Sequence, residues 1–224
     1  MKKQIPNILT SLNILCGCVA ILMALSGDLI SACIFVFLGI FFDFFDGFAA
    51  RIFNAQSEVG LQLDSLADVI TSGLAPGIIM YQMMCISVHG SMLTLVDAFS
   101  PEGWHTGGMW RYLPLFGLLI VVASAYRLAK FNVDTRQTSS FIGLPTPANA
   151  LLILSLPLIL YFQYTELAET IILNKWFLVG VTLVSCHLLN AEIPLFSLKF
   201  KTWDFKSNAI RYVFLILCVV LTLL

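Results

Sequence analysis

Residues 43–68 read DFFDGFAARIFNAQSEVGLQLDSLAD, with four aspartates, one arginine and two glycines set between two long apolar stretches. Asp43 and Asp46 lie three apart at the end of one apolar run, and Asp64 and Asp68 lie four apart at the start of the next. Spacings of three and four put each pair on one face of a helix. A hairpin of the two helices then points all four carboxylates into one site. The fold question becomes what kind of chain places such a hairpin among apolar runs of this length.

The 224 residues are 59% hydrophobic and 11% charged, and the mean hydropathy is +0.92. Soluble domains carry about 25% charged residues, so the composition excludes an ordinary soluble protein. Several runs approach the roughly 20 apolar residues that a membrane helix needs, and they are continuous rather than alternating, which selects helices over a barrel. Spans are expected at 8–25, 29–48, 60–87, 112–131, 148–165, 171–190 and 208–224. They predict an all-α integral membrane protein, a polytopic helical bundle of about six to eight transmembrane helices, folded as a single membrane-embedded domain over 1–224. The first run, 8–25, follows Lys2 and Lys3 but is longer than a signal-peptide core and carries Thr10 and Asn13, with Asn7 at its edge. It reads as a retained helix.

Alternating the spans from a cytoplasmic N-terminus puts Lys2, Lys3, Arg51, Arg127, Lys130, Arg136, Lys199, Lys201, Lys206 and Arg211 on one side and only Arg111 and Lys175 on the other. That bias follows the positive-inside rule and sets the aspartates at the cytoplasmic face. The six cysteines all lie in apolar runs without metal or CxxC spacing, and His89 and His105 in the outer loop 88–111 lack ligand spacing. Neither disulfides nor structural zinc are expected. No phosphate-binding Walker loop and no nucleophile elbow occurs, and no nucleic-acid partner is expected.

Four carboxylates at the edge of hydrocarbon repel one another unless cations compensate them. Carboxylate-only ligation selects hard ions, Mg²⁺ or Mn²⁺ in one or two copies, with Ca²⁺ able to occupy the same ligands. Gly47, Ala50 and Gly60 allow close approach by a flat ligand or by a neighbouring helix backbone. Arg51 suits a phosphate oxygen, or snorkels as a positive-inside arginine. Asn7, Thr10 and Asn13 form a polar stripe on the first helix, explained either by hydrogen bonding between helices or by ligand contact.

The pattern Asp43-x2-Asp46-Gly47-x2-Ala50-Arg51-x8-Gly60-x3-Asp64-x3-Asp68 resembles, at each fixed position, the signature of the CDP-alcohol phosphotransferase family. Members are membrane enzymes that move a substituted phosphate from a cytidine diphosphate carrier to an alcohol and release CMP. The resemblance implies a divalent metal centre on Asp43, Asp46, Asp64 and Asp68, with Asp68 also the base for the incoming hydroxyl. It further implies a cytidine pocket lined by Gly47, Ala50 and Gly60, with Asn7, Thr10 and Arg51 as further nucleotide contacts, and a homodimer.

Two other stretches, PNILTSLNILCGCVAI (6–21) and RLAKFNVDTRQTSSFIGLPTPANA (127–150), are similar to the phosphatidylserine synthase branch of that family. Lys130 stands where arginine is common, keeping the charge without the bidentate fork. This likeness implies CDP-diacylglycerol and L-serine as substrates, and membrane lipids as surroundings, in a prokaryotic inner or plasma membrane. Arg127 and Lys130, three apart, suit the serine carboxylate. Asn132 offers a hydrogen bond, Phe131 a wall, and Asp134 a partner for the ammonium. Glycerol phosphate, inositol and inositol phosphate remain alternative acceptors. A divalent-cation transporter and a non-catalytic CDP-lipid-binding protein are the alternatives of other classes.

Overall fold

The computed structural model describes residues 4–93, 110–133 and 141–195. Two helices open the chain, α1 (Ile5–Leu25) and α2 (Leu29–Ile52). Pro6 sits in the first turn of α1, where its missing N–H costs nothing. The tight turn between the helices needs a left-handed residue, and Gly27 supplies it at φ +89°. Asp28 then caps α2 by accepting a hydrogen bond from Ser31 N at 2.9 Å. Held so closely, α1 and α2 form the most extensive helix pair among the described elements.

The chain leaves α2 through Asn54, a non-glycine residue at φ +48°, and restarts at α3 (Glu58–Asp68), whose cap is Ser57 accepting from Gly60 N at 3.0 Å. From α3 it continues through a π-helical turn, Val69–Leu74, into α4 (Ala75–His89). This 32-residue rod is the centre of the bundle: 72% of its apolar stretch is buried, against 33% in each of the first two helices. Ile79, Met80, Met83 and Met84 are wholly enclosed, as expected of a helix apolar on all sides. Gly90, at φ +78°, ends it.

A 3₁₀ segment (Leu113–Leu118) leads into α5 (Leu119–Val133). It crosses α4 at backbone distance, since a Cβ on Gly117 would lie 2.9 Å from Tyr81 N. Helix α6 (Thr146–Phe162) follows, then α7 (Glu166–Ile172) and α8 (Lys175–Asn190). The two-residue strands β1 (Phe141–Ile142) and β2 (Pro194–Leu195) pair antiparallel and tie the start of α6 to the end of α8. Gly143 (φ +74°) makes that junction possible, because a Cβ there would meet Leu189 O at 2.7 Å.

The helical membrane architecture agrees with the sequence, whereas the expected count of six to eight spans is not confirmed. Among the described residues four helices are long and apolar enough to cross a membrane, or five if the α7–α8 pair is one span. The expected uninterrupted span at 171–190 is bent by 60°, because Asn174 breaks the run and caps α8 through Trp176 N and Phe177 N. Helix α6 has 17 residues and so rises about 26 Å, short of the roughly 30 Å hydrocarbon thickness. The expected span 208–224 lies outside the described residues.

Of the described cations, Arg51, Arg127 and Lys130 sit at the aspartate end, and Arg111 and Lys175 at the other, where Lys175 lies over the Trp110 ring. Lys2, Lys3, Arg136, Lys199, Lys201, Lys206 and Arg211 lie outside the described residues. Phe41, Phe44 and Phe48 are exposed on α2, a surface suited to lipid.

Hydrogen bonds from Ser31 hold the Asp28 carboxyl below its ordinary value. A folded value below the unfolded one makes this cap fully effective above the ordinary carboxylate range and lost as pH falls through the lower folded value. Replacing Asp28 by Ala should cost about 1 kcal/mol in denaturant unfolding in micelles. Asp28→Asn should keep the cap and remove its pH dependence; the same acid dependence in Asp28→Asn and wild type would contradict this.

Candidate active site

The hairpin brings together three of the four carboxylates. One oxygen from each of Asp43, Asp46 and Asp64 lies within 4.8 Å of the other two. Asp43 and Asp46 come from the last turns of α2 and Asp64 from the middle of α3, so the three converge only because the 53–57 turn sends α3 back against α1, the helix on which α2 also packs.

The polar stripe on α1 holds these carboxylates. Thr10, buried, places its hydroxyl 2.6 Å from Asp46 Oδ2 and 3.0 Å from Pro6 O. Its single hydrogen serves the charged, nearer acceptor. Asn13, also buried, reaches Asp43 Oδ1 from Nδ2 at a long 3.5 Å. Thr71, on the π-helical turn, donates to Asn13 O at 3.0 Å and locks α1 against the central rod. Two glycines permit this approach: a Cβ on Gly17 would sit 2.4 Å from Thr71 Oγ1, and one on Gly39 would sit 2.5 Å from Thr71 Cγ2 and 2.9 Å from Asn13 Oδ1.

Beside the carboxylates lies a cavity of about 890 Å³ whose lining includes Asn7, Thr10, Gly47, Ala50, Arg51 and Gly60 together with Asp43, Asp46 and Asp64. All six nucleotide-contact residues expected from the sequence therefore share one cavity with the three carboxylates. A Cβ on Gly60 would crowd Ser57 Oγ at 3.1 Å and Asn7 Oδ1 at 3.3 Å, so glycine keeps this wall open. The sequence reading missed Gln56, Ser57 and Glu58, which line the same cavity. The capping pattern of Ser57 before α3 was the available signal.

Asp68 lies close enough to Asp43 and Asp64 to interact with their charges. It does not belong to the 4.8 Å group; its Oδ2 accepts from Thr146 Oγ1 at 3.3 Å, and its Oδ1 is enclosed without a hydrogen bond. Arg127, buried, lies close enough to Asp68 for their charges to attract. Its Nε makes no hydrogen bond, and its guanidinium stands 5.8 Å from the Phe131 ring centroid. Arg127 and Lys130 have different partners: Lys130 pairs with Glu192 at 3.2 Å on the surface. Asn132 spends its amide on Ser65, with Nδ2 donating at 2.9 Å, and joins α5 to α3. Asp134 lies outside the described residues, as does His105; His89 Nε2 is 3.1 Å from Arg111 O. Thr146 was missed as a site residue, since only the folded chain carries the start of α6 to Asp68.

An all-carboxylate cluster beside an enclosed, unpaired carboxylate oxygen fits a hard divalent cation. The donor set holds neither sulfur nor imidazole, which disfavours zinc.

The family model described as CDP-alcohol phosphatidyltransferase matches residues 3–186. The chain belongs to this family. The match spans the carboxylate hairpin, the cavity and the start of α6. Among curated relatives, a CDP-diacylglycerol–serine O-phosphatidyltransferase of Bacillus subtilis (strain 168) is 34% identical over 65% of this chain and 70% of its own length. One of the same name from Helicobacter pylori (strain ATCC 700392 / 26695) is 33% identical over 94% of this chain and 79% of its own. An archaetidylserine synthase of Methanothermobacter thermautotrophicus is 34% identical over 75% of this chain and 63% of its own. As a member of this family the chain is a membrane transferase of phospholipid synthesis.

The α1–α2–rod contact generates a test. Gly39→Ala would drive a methyl into Thr71 and Asn13, and overpacking of this kind costs about 1–3 kcal/mol. Thermal unfolding in micelles should show that loss. A Gly39→Ala variant as stable as wild type would contradict the packing described.

Proposed function

We propose that this chain transfers a phosphatidyl group from CDP-diacylglycerol to L-serine, giving phosphatidylserine and CMP. The observation that carries the reading is the convergence of Asp43, Asp46 and Asp64 within 4.8 Å at the edge of the cavity lined by Gly47, Ala50, Arg51 and Gly60. The choice of acceptor draws its support from the relatives, since the three names given above all specify serine.

In this reading Asn7, Thr10, Gly47, Ala50 and Gly60 receive the cytidine, and Arg51 holds a phosphate oxygen of the donor. Asp43, Asp46 and Asp64 would hold a divalent cation, Mg²⁺ or Mn²⁺, with Asp68 contributing toward a second. Such ions neutralise a diphosphate and stabilise charge on the attacked and leaving oxygens. Thr10 and Asn13 orient the carboxylates from α1. Asp68 accepts the proton of the serine hydroxyl at Oδ1, the oxygen that Thr146 leaves unbonded, while Arg127 attracts the serine carboxylate. The serine oxygen forms its bond to the lipid-side phosphorus as the bond from that phosphorus to the CMP oxygen breaks. Neither cysteine nor histidine occurs in the 43–68 motif, which favours direct displacement over a covalent intermediate. The acyl chains stay in the bilayer while the cytidine enters from the cytoplasmic face, where the positive-inside bias puts the aspartates. Homodimerisation belongs to the same proposal and rests on the family likeness.

The test is CMP release from CDP-diacylglycerol by the purified protein with Mg²⁺ or Mn²⁺, with and without L-serine, glycerol 3-phosphate or inositol. Serine-dependent release is expected. Release only with another alcohol would remove serine as the acceptor, and metal flux into liposomes without CMP release would favour a transporter. Asp68→Asn should lose about 10²–10⁴-fold in turnover, the usual worth of a general base, with its unfolding transition retained. Near-normal turnover of a folded Asp68→Asn would sink the base assignment.

A further inference from the structure

The reading of the chain as a serine transferase is the premise here, and it leaves Asn149 without a role. Asn149, on the inner face of α6, is 0% exposed, and neither its Nδ2 nor its Oδ1 makes a hydrogen bond. Its neighbours in the helix, Ala150, Leu151, Leu152, Ile153 and Leu154, are apolar, so packing alone favours leucine at this position. Its backbone N–H makes an ordinary helical bond to Pro145 O at 3.1 Å, and the side chain caps nothing. A buried amide left unpaired is among the costlier arrangements in a protein interior, and a native one calls for a partner.

Its position indicates which partner. Thr146, three residues earlier, reaches Asp68 Oδ2 at 3.3 Å. Residues three apart on a helix stand about 5–6 Å from one another on one face, so Asn149 lies one turn deeper on the face that meets Asp68. Three unpaired groups of different kinds thus lie on the elements that meet at Asp68: Asp68 Oδ1 as acceptor, Arg127 Nε on α5 as cationic donor, and the Asn149 amide, one turn from Thr146 on α6, as donor and acceptor together.

We propose that Asn149 is an acceptor-binding residue that recognises the amino-acid end of the alcohol, a zwitterionic α-amino acid bearing a hydroxyl. The hydroxyl donates to Asp68 Oδ1 and the carboxylate accepts from Arg127. The ammonium donates to Asn149 Oδ1, and Asn149 Nδ2 donates to the carboxylate. An alcohol without an ammonium leaves Asn149 Oδ1 unpaired, and a site built to bond a missing group rejects such an analogue. Selectivity for serine over glycerol phosphate or inositol thus resides on α6 as well as on α5.

The test compares wild type with Asn149→Leu, which keeps the volume and removes both polar atoms. KM for L-serine should rise about tenfold or more, the usual effect of losing a hydrogen bond to a charged group, with KM for CDP-diacylglycerol unchanged. Inhibition by 3-hydroxypropanoate, which has the hydroxyl and carboxylate without the ammonium, should weaken less than serine binding does. L-Serine should also raise the unfolding temperature of wild type in micelles more than that of the variant. A purely structural asparagine predicts the reverse: unchanged KM for serine in a variant as stable as wild type or more so. Should Asn149→Leu fail to fold, Asn149→Ala removes the amide without adding bulk, and wild-type KM for serine in either variant overturns the proposal. A wild type that releases CMP only with another alcohol overturns the premise, and this proposal with it.

Discussion

Mutual repulsion among carboxylates at the edge of a hydrocarbon layer is the constraint on which this structure turns. Three carboxylates with oxygens within 4.8 Å of one another would, if all were ionised, repel by roughly 3.5 kcal/mol per pair at an effective dielectric of about 20. Three such pairs would approach about 10 kcal/mol, as large as the net stability of a typical domain, about 5–15 kcal/mol. The fold nevertheless drives them together, through a tight α1–α2 turn, a reversed α3 and a stripe of polar residues on α1 that holds two of the three. Such an arrangement is stable when a divalent cation takes the place of the repulsion, and a diphosphate-bearing substrate is a ligand that needs that cation.

The site has two sides because the central rod is not a uniform helix. Between Val69 and Leu74 the chain winds one residue wider per turn, with Ala75 N bonded to Ile70 O. Turns of this kind occur often at functional sites. The π-helical turn follows directly after Asp68, the carboxylate outside the 4.8 Å group, which accepts from Thr146 and lies near Arg127. The cavity is built by α1, α2 and α3, and the surroundings of Asp68 by the rod, α5 and α6. In the proposed reaction the phosphoryl group passes from one to the other at the carboxylates.

Much of this was legible from spacing alone. Intervals of three and four placed each aspartate pair on one helix face, and the glycines and Ala50 fell where the cavity opens. The interval of three from Asn7 through Thr10 to Asn13 is the stripe that meets the carboxylates. What the sequence withheld depends on contacts distant along the chain. Thr146 and Asn149 look like ordinary residues at the start of an apolar run until α6 is set against Asp68. Lys130 and Arg127, three apart, suggested joint use, yet Glu192 draws Lys130 to the surface while Arg127 turns inward. Asn132 reads as a substrate ligand and is committed to Ser65. One expected span is altered for a local reason, since Asn174 bends what hydropathy alone presents as one apolar run.

Direct binding of Mn²⁺ to the purified protein in detergent, followed by electron paramagnetic resonance, tests the central claim that these carboxylates exist to share a cation. The account predicts that wild type sequesters Mn²⁺ without any substrate and that the Asp43→Asn/Asp64→Asn double variant, still folded, loses most of that binding. A wild type that leaves Mn²⁺ free in solution, or a double variant that binds it equally well, would contradict the account.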